Sequence, residues 1–395
     1  MSKMKSERRP LLFALCLFSF VASAAENEIA KWDPRMADAS AVITNGVKWL
    51  DGRTLPLEGR AFANGERFYD RLPSNVTAKV NGGVRYLKHH SAGMLFRFKT
   101  DSNVVNIRWK PFCENLSMAH MNANGTSGID VYRWDAAGKS WRFVTTGFVT
   151  LPKYDGAKKC WRYESGETKP YFSASVPWKP GETCLVNLPL YNGIDDIQIG
   201  VSPKATIEAP EPWASGVTKP VVFYGTSITQ GGCCTRPGMN FVSIVGRQLN
   251  VPTVNLGFSG SGWMEFEMSE HLAAVDASCY VLDCLWNMNM GANAFSNRYE
   301  EFIRNLRAKR PDVPIVMAEQ CDVFCGPKGD KNNAVRALYE KLIAEGWKNL
   351  VYLPKEGMYP DDLEGTVDGC HPNDYGMMHL AKAFGKAVKD ALKLR

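Results

Sequence analysis

Ser227 follows the apolar run Val221-Val222-Phe223-Tyr224 and lies in a turn of small residues, Gly225-Thr226-Ser227-Ile228-Thr229-Gln230-Gly231-Gly232. An apolar run bounded by glycine reads as a buried parallel strand, and ligands of open α/β sheets collect where such strands end. A hydroxyl there is a candidate nucleophile. Alone it means little, because serines in Gly-rich turns commonly bond only the local backbone. A partner lies near the C-terminus, in Asp368-Gly369-Cys370-His371-Pro372-Asn373-Asp374. Asp and His three apart can meet within one turn of chain. The carboxylate can then hold one imidazole nitrogen while the other faces a serine, as a general base requires.

Competing motifs fail on specifics. GTSITQGG lacks the Gly-Lys-Ser/Thr ending of a phosphate-binding loop, and GFSGSG has the wrong spacing for a dinucleotide fingerprint. Position 229 is Thr, so Ser227 is not in the Gly-x-Ser-x-Gly elbow of an α/β-hydrolase.

The blocks GTSITQGG, NLGFSGSG, LWNM and DGCHPND, in this order, resemble the four signature blocks of the SGNH (GDSL-type) hydrolases. The resemblance covers the C-terminal half. It implies Ser227 as nucleophile, Asp368 and His371 as the rest of a triad, and Ser227, Gly260 and Asn287 as oxyanion-hole donors. Thr226 stands where the family name puts Asp, and Met288 follows Asn287 where Asp is common. Neither position belongs to the triad. Arg236, Trp263 and Trp286 border these loops and are candidate substrate-binding residues.

Elements must carry these groups to one place. Beyond residue 219, apolar strands at Val221 to Tyr224, Thr253 to Leu256, Tyr280 to Leu285, Val313 to Ala318 and Leu350 to Leu353 alternate with helical patterns. Such alternation predicts a parallel sheet between helices, and the resemblance implies the flavodoxin-like three-layer α/β/α arrangement that SGNH hydrolases adopt. Asn255, Asn287 and the DGCHPND loop are then expected at or beyond strand ends, on the edge that holds Ser227. Residues 26–203 read differently, as short alternating segments such as Met94 to Phe98, Val104 to Trp109, Gly128 to Trp134 and Ile194 to Gly200. They predict an antiparallel β-sandwich. GIDVYRWD also resembles the Gly-x-Asp-Leu-Tyr element of the β-domain that precedes some SGNH esterases, with Val131 in place of Leu. Pro203, Pro210, Pro212, Gly216 and Pro220 place a linker at 204–218 and a catalytic domain at 219–395.

Lys3, Lys5, Arg8 and Arg9 precede an uncharged apolar run from Leu11 to Val21 and then Ala22-Ser23-Ala24. This is the pattern of a signal peptide over 1–24, too short to span a bilayer. Export to the periplasm or the exterior is expected, with no integral membrane segment after cleavage. The remaining chain carries 43 Lys and Arg against 40 Asp and Glu. That excess is too slight and too scattered for a nucleic-acid partner. No cofactor or metal is expected, since the chain has no CxxC pair and its six histidines are scattered. Loops that bring Ser227 and His371 together would also bring Cys233 or Cys234 towards Cys370, and a disulfide there is an expectation, beside the reading of reduced, buried cysteines.

The resemblance to SGNH esterases with an accessory β-domain implies hydrolysis of a short acyl ester, acetyl foremost, on a carbohydrate, through an acyl-enzyme. Trp109, Trp134, Trp141, Trp161 and Trp178 in the sandwich offer faces on which sugars could stack. An acyltransferase with the same acyl-enzyme and a catalytically silent glycan-binding protein are the alternatives.

Overall fold

The computed structural model describes residues 41–157, 159–163, 169–321 and 329–394. The signal-peptide segment and Cys325 lie outside these residues, as does the side chain of Trp161.

The C-terminal half is built on a parallel sheet. Its strands are β1 (Val221–Gly225), β2 (Thr253–Gly257), β3 (Cys279–Asp283), β4 (Ile315–Ala318) and β5 (Leu350–Leu353). They lie in the order β2-β1-β3-β4-β5, the flavodoxin-like order with its switch point beside β1. Side chains of successive strand residues go to opposite faces. Val221 and Phe223 join Phe241, Val245, Leu380 and Phe384 of helices Phe241–Leu249 and Asp374–Ala391. Val222 and Tyr224 join Leu272, Phe302, Leu306 and Leu342 of helices Phe266–Ala274, Ala292–Lys309 and Gly329–Ala344. Every residue of β1 is therefore buried, which explains why the strand is apolar throughout rather than alternating.

The N-terminal half is a sandwich of two antiparallel sheets. One holds Val47–Asp51, Ile194–Val201, Val104–Pro111 and Phe172–Pro177; the other holds Leu95–Thr100, Thr183–Asn187, Ile129–Asp135 and Ser140–Gly147. Strand Val104–Pro111 alternates cleanly, with Val105, Ile107 and Trp109 inward. These meet Phe96, Phe98, Val131, Val186, Ile197 and Ile199 in one core. The second sheet is covered on its other face too. Leu95, Tyr132 and Leu185 form a smaller cluster with Trp213.

The stretch 204–218 is packed. Ile207–Glu208 pairs with Leu95–Thr100, and the buried Trp213 donates its indole N–H to Glu58 at 2.8 Å beneath the Arg97 guanidinium. Ile207 and Trp213 give this Pro-rich segment apolar surface to bury, which a free linker lacks.

Candidate active site

Ser227 begins a single helical turn, Ser227–Gln230, directly after β1. Thr226 caps that turn, its hydroxyl accepting the Ile228 N–H. A Ser or Thr cap satisfies an otherwise orphaned helix donor, so Thr performs here the capping that Asp could also supply. The Ser227 carbonyl accepts from the buried Tyr191 hydroxyl of the sandwich at 2.9 Å. Behind the turn, the Thr229 carbonyl accepts the side-chain amides of Asn255 at 2.6 Å and Asn240 at 2.9 Å. Asn255 thus sits within β2, fully buried. It braces the nucleophile turn from below, where a place at or beyond the strand end was expected.

The base loop follows β5. Ser227 Oγ lies 2.9 Å from His371 Nε2, and His371 Nδ1 lies 2.8 Å from Asp368 Oδ2. The other carboxylate oxygen of Asp368 accepts the N–H of His371 at 2.7 Å and that of Cys370 at 3.0 Å. Burial pushes the Asp368 carboxyl up, but these N–H groups and the His371 ring together pull it below the usual carboxylate range. An ionised carboxylate at Nδ1 selects the tautomer with Nδ1–H and leaves the Nε2 lone pair for the serine proton.

Cys233, Cys234 and Cys370 are reduced thiols, so the expected disulfide is not formed. Cys234 is fully buried in the core cluster with Phe223 and Phe241, where a thiol packs as a small apolar group. Hydrogen bonds tie the two loops instead. The Cys233 N–H donates to the Pro372 carbonyl at 2.9 Å, and Thr235 bonds Asp374 through both its N–H and its hydroxyl.

Gly260 and Asn287 follow β2 and β3, on the same sheet edge as Ser227. Gly260 adopts φ +66°, where a side chain would be strained, and its carbonyl accepts the Trp263 indole N–H at 2.8 Å. The Asn287 carboxamide oxygen accepts the Gly262 N–H at 3.3 Å. That bond orients the amide and leaves its NH₂ end as the donor. Among the described residues, no protein acceptor engages the N–H groups of Ser227 and Gly260 or the Asn287 NH₂.

The remaining candidates are placed differently. Trp263 is 39% exposed at the rim of this loop. Trp286 is half-buried with its N–H on Cys321 Sγ at 3.4 Å, a packed position. Arg236 is held by the sandwich, its Nη1 2.7 Å from Asp130. Of the sandwich tryptophans, Trp109 and Trp178 are core residues, while Trp134 and Trp141 are half-buried against each other. Sequence reasoning missed Asp283, which is buried at the end of β3 with the Thr229 hydroxyl on its Oδ2 at 2.7 Å. Burial pushes its carboxyl up to about 7, against the opposing effect of that hydrogen bond. Glu66, Asp70 and His89 form a group with metal-ligand spacing, but Asp70 already takes the His89 ring and Glu66 takes Lys88.

Residues 218–389 match the model of the GDSL-like lipase/acylhydrolase family, and residues 47–207 match that of the GxDLY N-terminus of SGNH-type esterases. The C-terminal half thus belongs to the GDSL-like lipase/acylhydrolase family, and the region before it to the GxDLY N-termini of SGNH-type esterases. The chain is 28% identical to a protein of Bacteroides ovatus ATCC 8483 described as a GDSL-like lipase, over 88% of this chain and 99% of that one, with a TM-score of 0.75. The fold is shared with the salicylyl-acyltransferase SsfX3 from a tetracycline biosynthetic pathway, at 17% identity, 89% and 100% coverage and a TM-score of 0.68. It is shared also with a family two carbohydrate esterase from Cellvibrio japonicus, at 11% identity, 88% and 98% coverage and a TM-score of 0.53. No curated protein matches the chain in sequence. Among its described residues, no helix is long and apolar enough to cross a membrane.

Proposed function

We propose that this chain is an exported serine esterase that removes short acyl groups, acetyl foremost, from carbohydrate. The observation that carries the reading is the chain of contacts from Ser227 Oγ through His371 to Asp368, at 2.9 and 2.8 Å. In the proposed reaction His371 Nε2 takes the Ser227 proton as Oγ attacks the ester carbonyl. The tetrahedral oxyanion is held by the N–H groups of Ser227 and Gly260 and the Asn287 NH₂. His371 then returns the proton to the departing sugar hydroxyl, and water repeats the sequence on the acyl-enzyme. Asp368 stays ionised throughout and supports the imidazolium.

The carbohydrate part of the reading draws on the fold shared with carbohydrate esterases, and the export on the N-terminal sequence. Acetate release from acetylated polysaccharides and from an aryl acetate, by wild type and Ser227→Ala, tests it. Release by wild type alone from a polysaccharide is expected. Turnover that survives Ser227→Ala would remove the serine mechanism, and acyl transfer to an added alcohol in preference to water would make the enzyme a transferase.

A further inference from the structure

One histidine outside the triad reaches it. Residues 118–121 form a tight turn in which the N–H groups of Met118 and Met121 each donate to the other's carbonyl, at 2.9 and 3.2 Å. Met121 is buried in the cluster that contains Cys233 and Cys234. Next to it, Gly125 lies so close to the nucleophile loop that a β-carbon there would stand 2.0 Å from the Cys234 carbonyl oxygen. The turn is therefore anchored on the catalytic half, and His120 projects from its tip, exposed to solvent. Its ring centroid is 5.4 Å from that of His371, in an edge-on arrangement. Cys233 completes a group of three. One ligand atom from each of His120, Cys233 and His371 lies within 4.8 Å of the other two.

We propose that His120, Cys233 and His371 form an inhibitory site for a soft divalent cation, zinc above all. Two imidazoles and a thiolate are a preferred zinc donor set, with Zn–N about 2.0–2.1 Å and Zn–S about 2.3 Å. Tetrahedral coordination at those lengths needs donor atoms roughly 3.3–3.7 Å apart, so the three side chains draw together by rotation on binding, the exposed His120 most freely. The ligand atom of His371 is Nε2, because Nδ1 is held by Asp368. A histidine whose far nitrogen donates to a carboxylate is the usual form of a metal-bound imidazole. Cys233 binds as the thiolate, its proton passing to solvent. The fourth position is left to water or Ser227. With its Nε2 lone pair on zinc, His371 no longer accepts the serine proton, so the bound enzyme is silent until the metal leaves.

The effect on turnover rests on His371 being the general base; the binding does not. Zinc is titrated calorimetrically into the full chain, and aryl acetate turnover is followed in parallel. One equivalent bound, with turnover lost over the same range and restored by EDTA, is expected. His120→Ala, at an exposed turn tip, is expected to keep metal-free turnover and weaken both binding and inhibition about tenfold or more. Cobalt supplies a second readout, because a cysteine thiolate on Co²⁺ gives a near-ultraviolet charge-transfer band that Cys233→Ser abolishes. No zinc binding, or binding and inhibition unchanged in His120→Ala, overturns the site. A cobalt band sensitive to Cys233→Ser in an enzyme whose turnover survives Ser227→Ala would sustain the site and sink the esterase mechanism instead.

Discussion

The buried carboxylate of Asp130 accepts Arg236 Nη1 at 2.7 Å, and the same carboxyl group also takes the Gly238 N–H and the Asn187 amide, each at 2.8 Å. Asp130 is the first of the two acidic residues of GIDVYRWD, on strand Ile129–Asp135, and Arg236 lies nine residues after Ser227. The aromatic part of the motif joins in, since Tyr132 lies under the Arg247 guanidinium at 4.0 Å. The motif therefore acts as a clamp from the sandwich onto the loop that follows the nucleophile.

Breaking that clamp at one end strands a charge. Removing one partner of a buried ion pair typically costs about 3–5 kcal/mol. Asp130→Ala, which strands Arg236, and Arg236→Ala, which strands the fully buried Asp130, are each expected to lower unfolding stability by about that amount in a denaturant titration. Variants as stable as wild type would mean that the pair is not formed in solution.

Asn287→Ala removes the side-chain amide proposed as one oxyanion donor. Loss of such a donor typically lowers turnover about 10² to 10³-fold. The expected outcome is a fall in kcat of that size with the melting temperature little changed, read from initial rates and a thermal scan. Wild-type kcat in this variant would remove Asn287 from the site.

Asp283 makes stability depend on pH with a defined sign. Its folded pKa, about 7, stands above the ordinary carboxylate value. From about pH 4 up to that value the folded chain keeps a proton that the unfolded chain has lost, so the group's contribution to stability falls as pH rises, by up to about 1.4 kcal/mol per unit. Unfolding free energies of wild type and Asp283→Asn should diverge in the variant's favour across this window. A difference independent of pH would show the carboxylate ionised throughout.

The three thiols at the loops report on the covalent state of the site. Without reductant, a small alkylating reagent is expected to modify the half-buried Cys370 in the native protein and to reach the fully buried Cys234 only after denaturation. Protection of Cys370 that reductant relieves would restore the disulfide.

Much of this was legible because both halves carry strong periodic signals. All five strands of the parallel sheet were readable within about two residues, since each is a continuous apolar run bounded by helical patterns. Val47–Asp51 was not readable, because all five of its residues are half-buried and no alternation marks an inner face. Phe172–Pro177 hides for another reason: its inward Phe172 and Val176 are diluted by serines. In the site, the Ser227, Asp368 and His371 juxtaposition followed from local spacing plus a resemblance. Asp130 with Arg236 and Asp283 with Thr229 are contacts between distant segments, and neither residue type announces its partner. His120 gave no signal at all, being a lone histidine in a sandwich loop.

Tyr191 on the Ser227 carbonyl, Gly125 against Cys234 and Asp130 on Arg236 all cross between the halves. Their joint consequence is evolutionary. An appended sugar-binding module can be exchanged among enzymes like a cassette, but this sandwich has its side chains keyed into the catalytic loops. A recombination event that joined the C-terminal half to a foreign sandwich would lose the braces on the Ser227 turn and its following loop, so a change in either half at these contacts calls for a matching change in the other.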